Sequence, residues 1–154
     1  MNEYKEFTFG WLVLLGLVPA QIVITYLYLN NMGDKPINTV GFVLFTLLFI
    51  ITYLLFYGLT TKVGDGFLTV SFGIGLIRKR IQLHRIKKVK TVVNPWYFGW
   101  GIRFIPNGML YNMSGSDGVE LQFSDTDRII RIGTRDAGHL KTEIENRLTE
   151  RRVD

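Results

Sequence analysis

The chain has 154 residues, no cysteine and a formal net charge of +5, with 47% apolar and 20% charged side chains. That length holds one ordinary domain, or a membrane anchor and one small domain. Without cysteine, disulfides, thiolate metal sites and thiol catalysis are excluded. The charge is unevenly placed: Gly66 through Ser116 contains no Asp or Glu but holds Arg78, Lys79, Arg80, Arg85, Lys87, Lys88, Lys90 and Arg103. One-sign stretches of this kind mark a cytoplasmic flank or an anion-facing surface.

Met1 to Glu6 reads as a short polar lead, followed by a charge-free run from Phe7 to Leu29 that is long enough to span a bilayer. A secretory signal peptide is the competing reading. The start is not basic, the apolar core is too long and no small-x-small cleavage site follows, so a retained helix is expected. Pro19 lies inside this run and predicts a bend, because proline removes one helical hydrogen bond. Gln21 is the strongly polar side chain of the run. It is read as an interhelical hydrogen bond of about 1 kcal/mol or less, in preference to a substrate or ion contact.

Asn30 to Pro36 is a polar turn, and a second charge-free stretch extends from Pro36 through Thr61. Its centre, Val40 to Leu59, is apolar on every face and makes a helix of about 30 Å, the thickness of a hydrocarbon core. The expected organisation is therefore a transmembrane helical hairpin over residues 1–61, with helices at about 7–29 and 39–60, and a separate domain over 62–154. The turn carries one lysine, whereas the basic stretch follows the second helix. By the positive-inside rule both termini are cytoplasmic, in a multi-pass protein of the cell membrane.

From Lys62 the pattern changes to short β-branched and aromatic runs punctuated by turn residues, the signature of an antiparallel barrel or sandwich. Strands are predicted at Phe67–Phe72, Leu76–Leu83, Val89–Val93, Gly101–Ile105, Leu110–Met113, Val119–Phe123 and Arg128–Ile132. Ala137, Leu140, Ile144 and Leu148 then recur at helical spacing, with Thr134 or Asp136 as cap and a polar tail expected to fray beyond Leu148. The fold class is thus α+β: a two-helix transmembrane hairpin, then a seven-stranded antiparallel barrel or sandwich capped by a C-terminal helix.

That order of elements is the order of a pleckstrin-homology (PH) domain. The stretch Gly99-Trp100-Gly101-Ile102-Arg103-Phe104-Ile105-Pro106-Asn107-Gly108, with Leu110-Tyr111-Asn112, Val119-Glu120-Leu121 and Arg131-Ile132-Gly133-Thr134, resembles bacterial PH-like membrane proteins. The resemblance spans about Lys62 to Leu148 and implies the fold and its tethering to a membrane, with no functional residues carried over. Gly99 and Gly101 are expected to turn the chain sharply into a strand, and Gly133 to allow close packing. The connection Gly73-Ile74-Gly75 is short, which argues against the long basic loop with which eukaryotic PH domains hold inositol phosphates.

No catalytic constellation, metal set or cofactor motif is present in the sequence. His84 and His139 fall in unrelated elements, and Ser114 and Ser116 lack the strand–turn–helix setting of a nucleophile elbow. Gly99-Trp100-Gly101 is followed by neither a lysine nor a helix start, so it is not a phosphate loop. Two surfaces remain as candidates. Arg78, Lys79, Arg80, Arg85, Lys87, Lys88 and Lys90 form an anionic-surface or partner contact that doubles as a topology signal, and Trp96, Tyr97, Phe98 and Trp100 form an interfacial aromatic cluster.

The function expected is that of a membrane-anchored interaction or assembly module without catalysis, its partners being membrane lipids and another protein or further copies of itself. Nucleic acid and small-molecule substrates are not expected. A sensor of anionic lipid headgroups is the alternative, and an accessory subunit of a membrane enzyme or transporter the second alternative.

Overall fold

The computed structural model describes residues 3–153, with side chains as far as Thr149. Two helices, α1 (Trp11–Leu29) and α2 (Thr39–Phe56), are long and apolar enough to cross a membrane, and none of their residues is buried inside the protein. α1 runs unbroken through Pro19. Asn38 caps α2 by accepting a 2.7 Å hydrogen bond from the Gly41 amide. Across the hairpin Gln21 Nε2 donates to Thr46 Oγ1 (3.1 Å), the interhelical bond expected of it, and to Thr25 Oγ1 (3.3 Å). At the loop end the rings of Tyr28 and Phe42 stack with centroids 4.3 Å apart.

Both helices are shorter than the apolar runs that contain them. Tyr4–Phe9 is a strand, β1, and Gly58–Gly64 is a second, β2, paired antiparallel from Tyr4 opposite Val63 to Phe9 opposite Gly58. The helix expected over 7–29 therefore begins at Trp11, the one expected over 39–60 ends at Phe56, and Tyr4 to Glu6 of the polar lead belong to a sheet. The cause is tertiary: Leu59, Thr61 and Val63 alternate into the core, and backbone pairing outweighs continued helix. The hairpin occupies the turn position of a β-hairpin.

Sheet A continues from β1 and β2 to β3 (Phe67–Phe72) and β4 (Ile77–Gln82), in that order and all antiparallel. After a 3-10 turn at Leu83–Arg85 the chain enters sheet B, which contains β5 (Ile86–Val93), β6 (Gly101–Ile105), β7 (Gly108–Asn112), β8 (Asp117–Phe123) and β9 (Ile129–Gly133) in the order β5-β8-β9-β7-β6. The expected seven-stranded antiparallel barrel or sandwich is thus nine strands in two sheets among the described residues, with no closed barrel. One pair, β7 with β9, is parallel, a consequence of the chain returning from β8 to lie beside a strand it had already laid down.

The core lies between the inner faces of the sheets. Leu59, Val63, Leu68, Val70 and Phe72 of sheet A meet Val89, Met113, Val119, Leu121 and Ile132 from sheet B and its flanks. The helix α3 (Ala137–Val153) adds Leu140 and Ile144, packing against β5, β8 and the 3-10 turn, and it continues past Leu148 instead of fraying there. Asp136 caps it, accepting from the His139 amide at 2.8 Å.

Strand β1 is tied to the far end of the chain. Glu6 accepts from the Arg135 amide (2.8 Å) and from the hydroxyls of Thr134 (2.5 Å) and Tyr4 (3.0 Å), while Tyr4 meets the His139 ring edge-on at 5.2 Å. Burial and the Glu6 charge push the Tyr4 hydroxyl well above the usual tyrosine range. Near the helices, a side chain added at Gly10 would collide with the Met113 thioether and the Phe56 carbonyl.

Candidate functional site

Six of the seven predicted basic residues lie on two consecutive sheet edges, and Arg85 lies in the 3-10 turn between them. β4 ends sheet A and β5 begins sheet B, so the unpaired sides of both strands flank the seam between the sheets. Ile77, Lys79 and Ile81 pair with Phe72, Val70 and Leu68 and share the inner face; Arg78, Arg80 and Gln82 share the outer one, as the alternation of the sequence predicts. Lys79 is exposed although it is on the inner face, an inward-pointing charge of the kind that discourages another strand from pairing there.

The cations are not equivalent. Arg85 is held by Asp125, with Nε–Oδ2 at 2.9 Å, and this pairing keeps the Asp125 carboxyl below its ordinary range. Lys90 stands opposite Glu120 in the β5–β8 ladder. Arg80 lies over the Phe67 ring at 4.2 Å. Arg78, Lys79, Lys87 and Lys88 have no ion pair among the described residues, and all four are exposed. Of the seven predicted residues Arg85 is thus held in an ion pair, Lys90 faces a carboxylate across the ladder without bonding it, Arg80 lies on a ring, and the other four form a free cationic seam.

The aromatic segment connects β5 to β6, the two outer strands of sheet B, so it crosses the width of the sheet. It enters through a bond from the Asn94 amide to Ser116 O (2.7 Å), forms a 3-10 turn at Trp96–Phe98 and leaves through Gly99 and Gly101, both with positive φ (70° and 89°). Phe98 lies 6.0 Å from the Arg131 guanidinium. Beneath the strap, Arg131 pairs with Glu120 at 2.9 Å. Burial alone pushes the Glu120 carboxyl up, but hydrogen bonds from Gln122 and Arg131 and the charges of Arg131 and Lys90 outweigh it, holding the group below the usual carboxylate range. Trp96 and Tyr97 point away, with Trp96 83% exposed.

Three apolar residues absent from the predicted sites are among the most exposed of the β-rich part: Phe104 (90%), Leu76 (75%) and Ile74 (56%). Phe104 shares its face with Ile102, which packs on the core, so alternation places it inward. Alternation gives the face of a strand; it does not tell whether an opposing sheet reaches that far.

His84 sits in the exposed 3-10 turn, and no group of three or more His, Asp or Glu among the described residues is placed to hold a metal. A groove of about 780 Å³ beside Phe104, Met109 and Arg128 contains Asp127 as its sole carboxylate and no histidine. No family model, curated protein or solved structure matches this chain.

Proposed function

We propose that the chain is a PH-like interaction or assembly module, carried on a membrane-inserted hairpin at the cytoplasmic face of the cell membrane, and that it recognises an acidic protein surface without performing chemistry. The observation that carries this reading is the cationic seam of β4 and β5. Lysine- and arginine-lined edges resist pairing with another sheet, which leaves side-chain electrostatics as their mode of recognition.

Distance favours a protein partner over lipid. Measured along sheet A from Gly58, where the chain leaves the hairpin, Arg78 is two residues up and Arg80 four, about 7 and 13 Å. Lys87 and Lys88 belong to the sheet edge on the α3 side. Attraction to an anionic leaflet fades within a Debye length of about 8 Å. Only Arg78 falls inside it, and that residue is what favours the second reading, a sensor of anionic headgroups.

The test is in-cell crosslinking of the full-length protein followed by purification, with and without Lys87→Glu/Lys88→Glu. The module reading expects the partner adduct to disappear with the charge reversal and to be indifferent to membrane composition. Adducts unaffected by reversal, or binding governed by anionic lipid and salt, would transfer the assignment to the sensor.

A further inference from the structure

Sheet B approaches the hairpin strand by strand. Along β1, Tyr4 meets α3 through His139, Glu6 meets the end of β9 through Thr134 and Arg135, and Gly10 meets the end of β7 through Met113. Met113 and Thr134 lie side by side just past the parallel β7–β9 pairing (Tyr111 opposite Ile132), so passing from β9 to β7 is one strand spacing, about 4.8 Å, in the direction of the helices. β6 is the next step in the same direction, and no strand lies beyond it.

Sheet A reaches the same level by its β3–β4 turn, where the Ile74 amide donates to Leu54 O (3.1 Å) near the end of α2 and the Gly73 amide to Gly58 O (2.8 Å). Phe104 on β6 and Ile74 and Leu76 on the turn are the exposed apolar side chains at these places. Arg103, between Ile102 and Phe104, donates to Trp100 O and has no ion pair among the described residues.

We propose that the β6 edge and the β3–β4 turn rest on the leaflet the hairpin enters, with Phe104, Ile74 and Leu76 at the acyl-chain boundary and Arg103 among lipid phosphates. The occupant of this edge is the phospholipid surface: the edge continues from the point where the helices leave the protein, and its free cation matches phosphate. Unlike β4 and β5, β6 carries no run of cations to ward off a neighbouring strand. Its unpaired backbone groups cannot enter hydrocarbon unsatisfied, so contact stops at headgroup depth, where water and phosphate serve them. The domain is then seated in one orientation, with α3 and the β5 edge turned away from lipid. This inference rests on bilayer insertion of the hairpin and is independent of the partner proposed for the cationic seam.

The absence of native cysteine permits clean single-site labelling. Full-length protein carrying Phe104→Cys, Leu76→Cys, Lys87→Cys or Leu47→Cys, each labelled with the fluorophore NBD, is placed in phosphatidylcholine–phosphatidylglycerol nanodiscs containing doxyl-labelled lipid. The expected result is strong quenching at residue 47 within α2, quenching at residues 104 and 76 several-fold above that at residue 87, and little at 87. Quenching at 47 but not at 104, or equal quenching at 104 and 87, overturns the seated edge while leaving insertion intact. No quenching at 47 overturns insertion, and the seated edge with it.

Discussion

If the hairpin is an insertion at a β-turn, removing it must leave a folded, water-soluble domain, and cutting the chain after the second helix must not. Residues 10–57 can be replaced by an Asn-Gly turn joining Phe9 to Gly58, which are already opposite one another in the β1–β2 ladder. A fragment beginning at Lys62, by contrast, lacks all of β1 and the Gly58–Thr61 part of β2. Loss of a buried leucine such as Leu59 costs about 2–5 kcal/mol. The hydrogen bonds to the Glu6 carboxylate contribute about 1.5–3 kcal/mol more. Against a typical domain stability of about 5–15 kcal/mol, toward the low end for so small a core, that loss is decisive. Near-ultraviolet circular dichroism and thermal unfolding of both proteins should give a cooperative transition for the excised domain and none for the fragment. Adding Glu6→Ala to the excised domain should lower its Tm by about 10 °C. A Lys62–Asp154 fragment as stable as the excised domain would refute the reasoning, because β1 and the start of β2 would then contribute nothing.

Other outcomes can be checked in the same proteins. Glu120 has a folded-state pKa below the ordinary value of 4.5; its stabilisation is complete above that value and is lost as pH falls through the lower folded one, so Glu120→Gln should flatten the acid limb of a Tm-versus-pH curve. Gln21→Leu should change stability in nanodiscs by no more than about 1 kcal/mol, because it removes a modest interhelical bond together with a buried carbonyl oxygen that has no partner. Gly10→Ala should destabilise by about 1–3 kcal/mol, measured by thermal unfolding of the full-length protein, since the new methyl group meets Met113 and a backbone carbonyl. Arg85→Ala should leave the Tm nearly unchanged by the same measurement, because its pair with Asp125 is exposed and screened by solvent.

Local patterns were legible wherever a strand stood alone between turn residues. Phe67–Phe72 and Gly101–Ile105 have the predicted bounds, and the α3 stripe buries Leu140 and Ile144 as its spacing requires. What could not be read was hidden by continuity or by distance. Tyr4–Phe9 and Gly58–Gly64 each run into a lipid-like apolar stretch with only a single glycine, Gly10 or Gly58, at the junction, so the alternation of buried Leu59, Thr61 and Val63 merges with the helix pattern. The parallel pairing of β7 with β9 depends on contacts about twenty residues apart, which no local signal encodes. The charges of the seam were equally plain in sequence; that Asp125 holds Arg85 and that Glu120 faces Lys90 depends on the pairing of β5 with β8.

The β1–β2 ladder also constrains how the chain can be made. Phe9 and Gly58 sit opposite each other across a turn occupied by two spanning-length helices, so in a chain whose helices cross a bilayer the ladder can close only when the polypeptide has gone out and come back. A molecule whose second helix failed to insert would strand its two halves in different compartments, with Glu6 far from Thr134 and Arg135. Where both helices cross, inserting them as a pair is what keeps the two strands on one side and lets the sheet be completed.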